Sequence, residues 1–124
     1  MANPAELVLG SVQLGLTYGA ANRTGKPSRR AALRLVRRAA ESGITKFDTA
    51  RAYGDSEERL GEALETRKAV RAITKLSPLS ELGDGASRDD VRAAVDASIA
   101  SSMAALRRER IDCLLLHRAA HMTV

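Results

Sequence analysis

Ile44-Thr-Lys-Phe-Asp48-Thr-Ala-Arg-Ala-Tyr53-Gly-Asp-Ser-Glu-Glu58 reads as a strand, a turn and the first turn of a helix. The strand, Ile44 to Thr49, ends in Asp48-Thr49-Ala50, and Tyr53-Gly54 marks the turn. Asp55 then stands as an N-cap with Glu58 at the third position, a capping-box spacing, and Leu60, Ala63 and Leu64 fall on one helical face. The same order recurs on either side. Upstream, the apolar run Leu7 to Val12 leads into a stretch with Gly15, Gly19, Gly25 and Pro27. Ser28 caps a helix that Gly43 stops, with Ala32, Leu35, Val36, Ala39 and Ala40 at helical spacing. Downstream, Val70 to Leu76 is a third strand, and the segment Ser77 to Ala86 is a loop rich in Ser, Gly and Pro. Ser87 caps a long helix with Val91, Val95, Ser98, Ile99, Ser102 and Leu106 on one face. Ile111 to His117 is a fourth strand, nearly continuously apolar, as strands covered on both faces are. Strands alternating with helices in this way make βαβ units and a parallel sheet, either a small open α/β sheet or the first half of an eight-stranded barrel.

Length and composition narrow the field. At 124 residues the chain holds one domain, and 44% hydrophobic with 28% charged residues is an ordinary globular balance. Tyr18, Phe47 and Tyr53 are the only aromatic residues, too few for the stacking platforms that bind single-stranded nucleic acid. The net charge of +5 and pI near 10.0 suit an anionic partner, polymeric or small, such as a phosphorylated cofactor. Cys113 is the single cysteine, which excludes an internal disulfide and suits a reducing compartment. The N-terminus lacks the basic and apolar regions of a signal peptide, and no apolar run approaches the ~20 residues of a membrane span. These features read as a cytoplasmic chain with no membrane partner.

Several familiar motifs fail on inspection. Gly10 to Gly15 has the glycine spacing of a phosphate loop, but Leu16 stands where its lysine belongs, and Pro27 follows Gly25-Lys26. Cys113, His117 and His121 have metal-like spacing, but Arg118 occupies the place of the metalloprotease glutamate, and no metal site is expected. Arg30, Arg34, Arg37 and Arg38 form a basic stripe opposite an apolar one, the usual look of a solvated face, and no nucleic-acid motif accompanies it.

Four polar residues remain. Asp48, Lys75 and His117 lie at or near the C-terminal ends of three predicted parallel strands, and Tyr53 lies in the loop after the second. That edge is where parallel α/β folds bind ligands. Each residue alone has an ordinary reading, as a turn cap, a surface cation, a packed ring or a strand terminus. Their convergence on one edge reads as a site for proton donation. A free phenol has pKa ~10; a neighbouring ammonium favours its ionised form, and a carboxylate anchors the ammonium. Such a group suits protonation of an oxygen that gains negative charge.

With these residues in place the sequence resembles the aldo-keto reductase family. The matching segments are Gly10-Ser-Val-Gln-Leu-Gly15, Phe47-Asp-Thr-Ala-Arg-Ala-Tyr-Gly54 with Ser56-Glu57 and Leu60-Gly61, Thr74-Lys75, and Ile111 to Arg118. The resemblance implies the N-terminal half of a (β/α)8 TIM barrel spanning residues 1–124, and a carbonyl-reducing enzyme using NADPH, less often NADH. It implies Tyr53 as general acid, Asp48 and Lys75 as its tuning pair and His117 as the orienting residue. It also places Asp48, Ser11 and Val12 near the nicotinamide end of the cofactor. The segment Val12 to Asn22 is similar to bacterial members linked to sugar metabolism, which implies an aldehyde, ketone or sugar carbonyl as substrate. A barrel of this kind takes ~250 residues, so the family's later strands, which complete the cofactor site, have no counterpart here. Self-association through the open half-barrel, without catalysis, is the alternative expectation.

Overall fold

In a computed structural model the described residues are 6–83 and 85–123, with His121 and Thr123 described by backbone alone. The elements run β1 (Val8–Gly10), α1 (Val12–Gly15), α2 (Arg29–Glu41), β2 (Lys46–Asp48), α3 (Ser56–Leu64), β3 (Arg71–Lys75), α4 (Arg88–Leu106) and β4 (Cys113–Leu115), then a 3-10 turn at Ala119–Thr123. The strands form one parallel sheet in the order β1-β2-β3-β4. Gly10, Asp48, Ile73 and Cys113 stand side by side across it. Each predicted strand is present but shorter than its apolar run, because pairing stops where the chain turns toward the helices. The short helix α1, inside the glycine-rich stretch, was not expected.

The core lies between the sheet and the helices. Phe47 on β2 and Ala72 on β3 pack against Leu33 and Val36 of α2, Leu60 and Leu64 of α3, and Leu106 of α4. Caps hold two helices: Ser28 accepts from the Ala31 amide, and Ser87 with Asp90 forms a reciprocal capping box. Gly43 ends α2 with φ +96°, the left-handed region that glycine enters without a steric penalty. Helices α3 and α4 touch closely at Gly61, where a Cβ would lie 2.2 Å from the Ala105 carbonyl oxygen.

Four local expectations are corrected. Leu35 is half exposed and Leu33 takes its place in the core, because the buried stripe of α2 runs through Ala32, Leu33 and Val36. On α4 the fully buried positions are Ser98, Ser102 and Leu106, with Val91, Val95 and Ile99 only partly covered. Asp55 sits at the N-cap of α3 but makes no cap hydrogen bond; its carboxylate turns to Lys26 at 2.7 Å and Arg59 at 3.0 Å. β4 is exposed along its length instead of covered on both faces, because among the described elements it packs chiefly on β3 and little lies over its faces.

Candidate active site

Asp48 ends β2 and Lys75 ends β3, one strand apart on the C-terminal edge of the sheet. Alternation along β3 buries Ala72 and Thr74 toward the helices and leaves Lys75 on the other face. Lys75 Nζ lies 2.6 Å from Asp48 Oδ1 and donates to the Thr49 carbonyl at 3.0 Å. The ion pair is partly exposed, with 17% of the Lys75 side chain and 31% of the Asp48 side chain accessible. The same Nζ stands 5.1 Å from the centre of the Tyr53 ring. His117, just beyond β4, meets Tyr53 edge to face, with ring centres 6.2 Å apart and planes at 73°. The four residues singled out by sequence therefore come together at one place.

The loop that carries Tyr53 is seated on α1 by glycine. A Cβ on Gly15 would fall 1.8 Å from the Tyr53 carbonyl oxygen, and one on Gly54, at φ +58°, would fall 2.3 Å from the Gly15 carbonyl oxygen. Behind this contact runs a chain of buried hydroxyls. Thr49 Oγ1 donates to Ser56 Oγ (3.2 Å), Ser56 Oγ lies 2.8 Å from Ser11 Oγ, and Ser11 Oγ donates to the Asp48 carbonyl (2.8 Å). Each hydroxyl has one proton, so the chain is satisfied in one direction. Ser11, 1% exposed, thus acts behind the site, holding the backbone of Asp48. Val12, the first residue of α1, is partly exposed.

A second buried network was not anticipated. Glu57 is fully buried, accepts from Thr74 Oγ1 at 2.6 Å and pairs with Arg51 at 2.5 Å. Its signal was present in the sequence: Glu57 falls on the helical stripe of Leu60, Gly61 and Leu64, and a carboxylate on an apolar stripe needs a partner. At the rim, burial would raise the pKa of Asp55, but hydrogen bonds from Lys26 and Arg59 outweigh it and hold the carboxyl below the ordinary carboxylate value. Among the described residues no group of three or more His, Cys, Asp or Glu could hold a metal ion, and the side chain of His121 lies outside them. No described helix is long and apolar enough to cross a membrane.

The fold has counterparts among known proteins. The family model of the aldo/keto reductases matches residues 6–124. A Pseudomonas aeruginosa protein assigned to the aldo-keto reductases is 35% identical over 90% of this chain, with a TM-score of 0.66. An aldo-keto reductase from Bacillus halodurans, solved in a holo form, is 26% identical over 90% of this chain, with a TM-score of 0.67. This chain covers 42% of the first and 35% of the second, less than half the length of either. Both relatives are (β/α)8 barrels, and the parallel β1-β2-β3-β4 sheet with its helices corresponds to the N-terminal half of that barrel. By the family match over nearly its whole length, and by the fold it shares with these enzymes, the chain belongs to the aldo-keto reductase family.

Proposed function

We propose that this chain carries the acid-base end of a carbonyl reductase that uses NADPH, or less often NADH, on an aldehyde, ketone or sugar carbonyl. The observation that carries the reading is the cluster itself: Lys75 is locked to Asp48 and stands beside the Tyr53 ring, which meets His117. The Tyr53 hydroxyl donates its proton to the carbonyl oxygen, and the Lys75 ammonium stabilises the negative charge left on the phenol oxygen. Asp48 and the Thr49 carbonyl keep the ammonium in place. His117, edge to face with the ring, orients the carbonyl. When bound, the nicotinamide supplies the hydride that the carbonyl carbon accepts. The residues present fit it: one Asp48 oxygen holds Lys75, and the partly exposed carboxylate keeps acceptor capacity for a ribose hydroxyl. Val12, partly exposed at the start of α1, would border the nicotinamide, and Ser11 holds the Asp48 backbone from behind. Similarity to a protein assigned as a 2,5-diketo-D-gluconic acid reductase B, 27% identical with a TM-score of 0.61 and covered over 32% of its length, supports a sugar-derived substrate. The free thiol of Cys113 suits a cytoplasmic setting.

The test is NADPH fluorescence titration of the chain, followed by turnover with aldehydes and sugars. Saturable binding is expected where self-association completes the pocket, and in a full-length parent enzyme Tyr53→Phe should lower turnover by about 10²–10⁴-fold while leaving NADPH affinity within about twofold, since the lost hydroxyl serves proton transfer. Unchanged turnover in the variant would overturn the mechanism.

We also infer self-association, because large exposed apolar side chains gather on the two sheet edges: Leu7 and Val8 by β1, Leu114, Leu115 and Leu116 by β4. Rotation about the strand direction brings β4 of one copy beside β1 of another with all strands still parallel. Sedimentation equilibrium should show a dimer that dissociates on dilution; a folded monomer at every concentration would exclude it.

A further inference from the structure

We propose that Glu57 is a positioning residue, a buried carboxylate that fixes, through Thr74 and Arg51, the two segments between which the Lys75 ammonium is held. The proposal deepens the reductase reading and rests on it for its catalytic consequence. Glu57 enters from the first turn of α3, where the helix dipole favours negative charge. One carboxylate oxygen accepts from Thr74 Oγ1 at 2.6 Å, one residue before Lys75 on β3. The other accepts from Arg51 Nη1 at 2.5 Å, in the loop between Asp48 and Tyr53.

Arg51 is itself fastened on three sides. Its amide faces the Lys75 carbonyl at 3.4 Å, its guanidinium donates to the Ser101 carbonyl of α4 at 3.3 Å, and it lies 3.6 Å from Glu58. The two acceptors of the Lys75 ammonium, Asp48 Oδ1 and the Thr49 carbonyl, both belong to the strand end that leads into this loop. Apart from the Lys75 contacts themselves, the two strand ends are tied here by backbone, Thr49 N to the Ile73 carbonyl at 2.8 Å and the long Arg51 contact. Glu57 adds a third tie, through side chains, on the helix side of the sheet.

Stability alone gives little reason for a charge there. A buried ion pair replaced by well-packed apolar side chains often leaves a fold as stable or more so. What the carboxylate adds is direction, because two charge-assisted hydrogen bonds fix both donors at set angles.

The experiment reads Lys75 without turnover. Amines of the whole chain are acetylated and the rate at each lysine is followed by mass spectrometry, with Lys26, Lys46 and Lys68 as internal references. Glu57→Gln should speed acetylation of Lys75 by about fivefold, the effect of losing about one hydrogen bond's worth of hold, and leave the other three rates unchanged. Thr74→Val should give the same selective rise, and the double variant no further rise, because both changes cut one link. Equal acceleration at all four lysines would mean general loosening and would overturn the proposal. So would an unchanged Lys75 rate in either folded variant. If Glu57→Gln does not fold, Thr74→Val decides alone. Failure of the reductase reading shows separately, as unchanged turnover on Tyr53→Phe in a full-length parent enzyme, and leaves the labelling result standing.

Discussion

β2 and β4 are strands of equal length in one parallel sheet, and each leads to a residue of the site. Phe47, in the middle of β2, is fully buried between neighbouring strands and helices, whereas Leu114, in the middle of β4, is 38% exposed and Leu115 is 42% exposed. The Asp48 flank is also tied from behind by the Ser11–Ser56–Thr49 hydroxyl chain and by Glu57. The His117 flank stands on a strand with one neighbour. The difference separates two jobs. Placement of the Lys75–Asp48 pair beside Tyr53 is built into the core of this half-barrel, and placement of His117 depends on what covers β4.

The comparison breaks first at its strongest point. Phe47→Ala should cost about 3–5 kcal/mol, the range for truncating a large buried aromatic, measured as the change in denaturation midpoint at constant m-value. Next comes Gly15→Ala. The added methyl meets backbone at the Tyr53 carbonyl and the Ser56 amide, which no rotamer change can relieve. A cost of about 1–3 kcal/mol is expected from overpacking. Because the strain falls on the Tyr53 loop, the proposed reductase activity should fall as well, read in a full-length parent enzyme. A Gly15→Ala chain with wild-type stability would mean that α1 and the Tyr53 loop separate freely in solution.

Gly15 also shows where sequence reading reached and where it stopped. The Gly10–Gly15 spacing is that of a phosphate loop, Leu16 excludes one, and no local pattern accounts for Gly15. Its purpose is a backbone approach from a segment 38 residues away, which no local pattern encodes. Order, direction and type of the main elements were legible because apolar runs, caps and turns are local signals. The Asp48, Tyr53, Lys75 and His117 set was legible because parallel topology sends strand ends to one edge. Exposure of β4 was not, because an apolar run fits a covered strand and an uncovered edge equally well. Glu57 was passed over as part of a motif, although its place on the stripe of Leu60, Gly61 and Leu64 marked it as a buried charge.

A smaller effect lies at the rim of the Tyr53 loop, where Lys26 and Arg59 hold Asp55 below the ordinary carboxylate value against the opposing effect of burial. A depressed folded-state pKa adds stability that is complete above the unfolded value of ~3.9 and is lost as pH falls through the folded one. Asp55→Asn should therefore be less stable than wild type above about pH 5, by up to about 1 kcal/mol for a carboxylate that is itself partly open to solvent. The two should converge as acid protonates Asp55. Parallel stability-against-pH curves would show that the Lys26 and Arg59 contacts do not persist in solution.

Leu115→Ala should have the least effect in dilute solution and is the sharpest probe of the exposed flank. With 42% of Leu115 open to water, truncation forfeits only part of the burial of a core leucine, and a cost of about 0.5–1 kcal/mol is expected for a monomer. If β4 is covered by a second copy, the same substitution removes apolar surface from the interface. Destabilisation should then grow with protein concentration, because dimerisation feeds into apparent stability by mass action. Measured at two concentrations a hundredfold apart, Leu115→Ala compares the two flanks under matched conditions. A cost that stays small at both leaves β4 an open edge, and one that rises only at the higher concentration shows it buried as β2 is.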